Sequence, residues 1–125
     1  MRNWLIAGGV VVLLIGIITA WALLTPSPNA GDRTKLDVQF TPAEIATLDA
    51  RTVTGQELTA ATCDDGQQCW VAVNGVVYDM SVFPKWARGR HHGVDAGTDA
   101  TQRFVGSGHA RAILEKMPVV GRLAS

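Results

Sequence analysis

The chain is poor in imidazole, thiol and phenol groups. Its 125 residues hold three histidines, two cysteines and one tyrosine, so chemistry that needs those groups must draw on very few positions. Charge of one sign is also missing. Eleven basic residues balance eleven acidic ones, which removes the basic excess of a nucleic-acid binder. HExxH, P-loop and dinucleotide fingerprints are absent. Ser107 and His109 are close, but no G-x-S-x-G elbow accompanies them. Asp95 and Asp99 lack the later Gly and Glu of a calcium loop. There is no internal repeat.

What is present begins with one long apolar run. Trp4 to Leu24 carries no charged residue and no Asn, Gln, His or Pro. As a helix rising about 1.5 Å per residue, it would match a hydrocarbon core about 30 Å thick. Trp4 and Trp21 stand near its ends, where indole rings favour headgroups. The run exceeds the apolar part of a cleaved signal peptide, about 7–15 residues, so residues 1–24 are expected to form a transmembrane anchor. Arg2 then predicts a single-pass membrane protein with a cytoplasmic N-terminus and an extracytoplasmic domain, periplasmic or extracellular. Thr25 to Asp32 reads TPSPNAGD, and residues 25–37 are expected to be a flexible linker. One folded domain is expected over residues 38–125. Cys63 and Cys69 enclose a polar loop. In an oxidising compartment they would form a disulfide contributing about 2 kcal/mol; in a reducing one they would be free thiols.

Within the domain, Asp37–Phe40 alternates and predicts a short strand. Thr41-Pro42-Ala43-Glu44 is a capping box with proline at the first helical position, predicting a helix from Pro42 to about Asp49 with Ile45 and Leu48 buried. Residues 51–69 read as loop. Trp70–Val73 and Val76–Tyr78 flank Asn74-Gly75, the signature of a hairpin with a type I′ turn. Thr98 or Asp99 is expected to open a helix to about Phe104. A last helix from Ser107 or Gly108 would show Ala110, Ile113, Leu114 and Met117 on one face, stop at Pro118, and lead to a closing strand at Val119-Val120. These elements make an α+β domain.

His91, His92 and His109 fall close together in the sequence, and imidazole is the commonest metal ligand and an axial base for haem iron. A zinc set of Cys63, Cys69, one of His91 or His92, and His109 is disfavoured because five residues separate the cysteines, against about two to four in structural sites. Trp70, Tyr78 and Trp86 read as packing residues.

The run VAVNGVVYDMS, residues 71–81, resembles the hairpin of the cytochrome b5-like haem/steroid-binding family. AGTDAT (96–101) with Phe104 and Gly108-His109 is similar to its second haem-binding segment. Val119–Leu123 resembles its closing strand, and Phe40–Ile45 its opening strand and helix. The resemblance implies a cytochrome b5-like fold, a small sheet with short helices forming a haem cleft. It implies haem b as the cofactor, with His109 as one axial ligand. The family's His-Pro-Gly-Gly motif is absent. Residues 89–97 are more similar to the membrane-associated progesterone-receptor branch, where His92 matches the ligand position and His91 is the alternative. Val76, Val82, Phe83, Phe104, Ile113, Leu114 and Met117 are expected as walls, and Lys85, Arg88 and Arg90 as propionate partners.

Two functions follow from the resemblance. One is a membrane-tethered one-electron carrier, not an enzyme, serving a membrane-associated redox partner protein. The other is a binding module of the same fold that takes a small apolar ligand or a partner protein.

Overall fold

A computed structural model describes residues 2–64 and 67–125, with side chains from residue 9 onward. The elements run α1 (Arg2–Leu24), α2 (Pro42–Ala50), β1 (Thr52–Val53), α3 (Gly55–Ala60), β2 (Trp70–Val73), β3 (Val76–Asp79), β4 (Arg90–His91), β5 (Val94–Asp95), α4 (Thr101–Gly106), α5 (Ala112–Glu115) and β6 (Val119–Leu123). Short 3₁₀ turns lie at Arg33–Leu36 and Pro84–Trp86.

The centre is the sheet β1-β6-β3-β2. Asn74 and Gly75 take φ of 50° and 76°, the positive pair that a type I′ turn requires. That turn sets the β2–β3 register, Val73 opposite Val76 and Trp70 opposite Asp79. Side chains alternate across the sheet. Val71, Val73, Val76 and Tyr78 pack on one face with Leu48, Met80, Trp86, Phe104 and Leu114. Trp70, Ala72 and Val77 pack on the other with Val53, Leu58 and Ala61. Both faces are covered, which is why all four residues of β2 are buried. Each fully buried valine contributes about 1.5–3 kcal/mol.

Two capping boxes bracket β1. Thr41 accepts from the Glu44 N–H while Glu44 reaches back to the Thr41 N–H, starting α2 as the sequence predicts. Thr54 and Glu57 repeat the device and start α3, in the stretch read as loop. Other expectations need correcting. Residues 37–40 form no strand, because their partners are the 3₁₀ turn and the core rather than a sheet edge. Ile45 is 46% exposed; α2 turns only Leu48 inward. The last helix is the short α5, with Leu114 buried and Ile113 and Met117 partly so. Val82 is 59% exposed and forms no wall.

The membrane assignment is also corrected. Among the described residues, no helix is long and apolar enough to cross a membrane, and the single-pass topology falls with it. The side chains of Arg2 and Trp4, on which orientation and one anchor end were read, lie outside the described residues. Of the linker expected over residues 25–37, the part from Ser27 to Asp37 is docked: the Gly31 N–H donates to Val105 O at 2.8 Å.

Candidate functional site

Two segments bring the histidines together. The first is the β4–β5 hairpin, in which Arg90 pairs with Asp95 and His91 with Val94. His92 and Gly93 form its turn with φ of 46° and 76°. The turn puts His92 at the exposed tip and leaves His91 on the strand, half-buried. Gly89 makes the approach feasible. Its φ is 72°, and a Cβ there would stand 2.5 Å from Thr62 O. The hairpin is therefore seated on residues 62–63. The Ala96 N–H donates to Gly89 O at 2.8 Å, closing its base.

The second segment is the loop after α4. Ser107 Oγ donates to Phe104 O at 2.7 Å, and the His109 N–H donates weakly to Ser107 Oγ at 3.3 Å. His109 is exposed and outside any helix.

His91 is the hub. Its ring centroid lies 5.3 Å from Trp86, 4.2 Å from His92 edge-on, and 6.3 Å from His109, with the His91 and His109 planes 29° apart. Burial lowers the His91 pKa below its ordinary value, and His92, His109 and Lys85 reinforce the effect. That favours the neutral imidazole, the form with a free lone pair. For comparison, two imidazoles on opposite sides of one metal ion, with metal–nitrogen bonds of about 2 Å, have centroids about 6 Å apart. Phe83, Val94, Ile113 and Met117 are partly buried and pack against the core cluster that includes Trp86.

The other candidates fall in different places. Phe104 is buried in the core beneath the His109 loop. Val76 is buried in the hairpin and borders a cavity of ≈ 40 Å³ with Leu36, Phe40 and Leu114. Arg90 spends its guanidinium on Asp95 across the hairpin, at 3.0 Å. Cys63 and Cys69 are joined in a disulfide, which withdraws both from any ligand set; Asp65 and Gly66 of that loop lie outside the described residues. Among the described residues, no cluster of three or more His, Cys, Asp or Glu side chains could hold a metal ion. A two-imidazole site stands below that number.

Sequence reasoning missed Lys35. It is buried at 3% exposure, and its ammonium donates to Asn29 O, Ser107 O and His109 O at 2.8, 2.9 and 3.1 Å. Burial lowers its pKa, while Asp32 acts in the other direction. No local pattern marks such a residue, since two of its acceptors are more than 70 positions away.

Comparison with known proteins agrees with this architecture. Residues 54–124 match the cytochrome b5-like haem/steroid-binding domain. Among solved structures, a Hadesarchaea YNP_N21 cytochrome b5 domain protein is 40% identical, with a TM-score of 0.55, over 59% of this chain and 99% of that one. A Methanococcoides burtonii cytochrome b5 domain protein is 35% identical, also with a TM-score of 0.55, over 59% of this chain and 97% of that one. No curated protein matches. The match extends over more than half of the chain, from the cap of α3 to the end of β6, and the chain belongs to the cytochrome b5-like haem/steroid-binding domain family.

Proposed function

We propose that this protein is a one-electron carrier, not an enzyme, that holds haem b between His91 and His109 and exchanges electrons with a redox partner protein. The observation that carries the reading is the 6.3 Å, near-parallel pair of His91 and His109 rings. His92, the first choice from the resemblance, sits at the exposed turn and becomes the alternative to His91 for the first ligand. Bound haem supplies a reversible one-electron couple.

The chain's own residues supply the rest. His91, kept neutral by burial and neighbouring charge, presents a lone pair. Trp86 and the edge of His92 limit the tilt of its ring. His109 provides the opposing imidazole. His91 and His109 would together hold the haem, an arrangement that suits electron transfer better than substrate binding. Phe83, Val94, Ile113 and Met117 would exclude water from the rings.

The test is haem uptake by the full chain and by single alanine variants. Wild type should bind one haem per chain. His109→Ala and His91→Ala should each lose the six-coordinate signature, and His92→Ala should keep it. If His91→Ala keeps the wild-type spectrum and His92→Ala loses it, the first ligand is His92. If neither change alters the spectrum, the two-histidine reading is wrong.

A further inference from the structure

We propose that Lys35 is a positioning residue for His109, and that residues 27–37 form a strap holding the His109 loop in its ligating position. The inference rests on the ligand reading above. It concerns a part of the chain that lies before the family match at residues 54–124.

Three consecutive carbonyls of the loop are held by this one segment. Lys35 Nζ donates to Ser107 O at 2.9 Å and to His109 O at 3.1 Å. Between them, Gly108 O accepts from Asn29 Nδ2 at 3.1 Å and from Ser27 Oγ at 3.4 Å. The third ammonium donor goes to Asn29 O at 2.8 Å, tying the strap to itself. An ammonium has three donors, and all are used. The charge also stands 4.8 Å over the Phe104 ring, at the end of the helix that feeds the loop. The strap is pinned at its middle and its far end as well: the Gly31 N–H donates to Val105 O at 2.8 Å and Arg111 Nη1 donates to Asp37 O at 2.9 Å.

This arrangement fixes the peptide planes on both sides of the His109 Cα, and so the direction in which its side chain leaves. The loop has few hydrogen bonds of its own to do so. Burying a lysine is costly unless its charge is fully hydrogen-bonded. Here the cost is offset at the loop that presents His109.

The experiment uses the full chain loaded with haem b, comparing wild type with Lys35→Met and Asn29→Ala. Haem loss to excess apomyoglobin should accelerate roughly tenfold or more in Lys35→Met, the equivalent of one charge-assisted hydrogen bond. A high-spin component should appear in its ferric spectrum, and added imidazole should restore the low-spin form. Asn29→Ala should show a smaller change in the same direction. A folded Lys35→Met with the wild-type spectrum and loss rate overturns the positioning role and leaves the ligand reading intact. Should Lys35→Met fail to fold, Asn29→Ala decides: faster haem loss at near-native stability supports the strap, and an unchanged rate overturns it. If wild type takes up no haem, the ligand reading falls instead. Amide exchange at Gly31 and His109 in the haem-free chain then tests the strap itself: faster exchange in Asn29→Ala supports it, and equal exchange overturns it.

Discussion

The two histidine-bearing segments are held in opposite ways. His91 stands on a hairpin whose shape is local: a two-residue turn, a closed base, and a glycine seated on the disulfide-bearing loop. His109 stands on a loop whose shape is imposed from 74 to 81 residues away by Lys35, Asn29 and Ser27. Local construction makes the first side depend on backbone conformation. Remote construction makes the second depend on a few hydrogen bonds that one substitution can remove. A ligand pair built this way should fail on one side without failing on the other.

The largest break should come at Gly89. Gly89→Val places a β-branched side chain at φ 72° and drives a Cβ to 2.5 Å from Thr62 O. Backbone strain alone costs about 1–3 kcal/mol, and the clash with a backbone oxygen adds to it. Thermal unfolding should show a lower Tm. In whatever folds, the His91 side should be lost while the Gly31 amide stays protected. Loss of Gly31 protection together with the His91 signature would mean that the two sides are not independent.

Next is the loop beneath the hairpin. Cys63→Ser with Cys69→Ser removes the Cys63–Cys69 disulfide and should cost about 2 kcal/mol, read by denaturant unfolding. Haem loss should also rise modestly, because Gly89 rests against Thr62 and Cys63. Equal haem loss would confine the disulfide to a stabilising role.

The smallest effect is a pH dependence far from both histidines. Hydrogen bonds from Thr54 lower the Glu57 pKa below its ordinary 4.5. The unfolded chain therefore binds more protons near that pH, and stability rises with pH there. The contribution is fully present above about pH 4.5 and is lost as pH falls through the lower, folded value. Glu57→Gln should flatten the stability profile between pH 5 and 3, roughly. An unchanged profile would remove the capping box as its source.

The same contrast explains what the sequence made legible. Asn74-Gly75 and the Thr41–Glu44 box are local chemistry, and both elements appear where they are read. α3 carries the same T-x-x-E signature at Thr54–Glu57, so that helix was legible and was overlooked. His92-Gly93 between two short strands is also a turn signature, so the β4–β5 hairpin was legible as well. The parallel pairing of β1 with β6 was not legible, because two residues of strand gain their meaning from a partner about 70 positions away. Lys35 and the docking of residues 27–37 were hidden for the same reason. A Pro- and Gly-containing stretch reads as linker until its hydrogen-bond partners are known. The apolar run of α1 was read as a membrane anchor, and no helix among the described residues meets that requirement.

The proposed haem site between His91 and His109 is tested most directly by the absorption and electron paramagnetic resonance spectrum of the full chain with one equivalent of haem b, oxidised and then reduced. A low-spin ferric signal and sharp, split low-spin bands on reduction are expected. A high-spin spectrum in the wild-type chain would contradict the proposal.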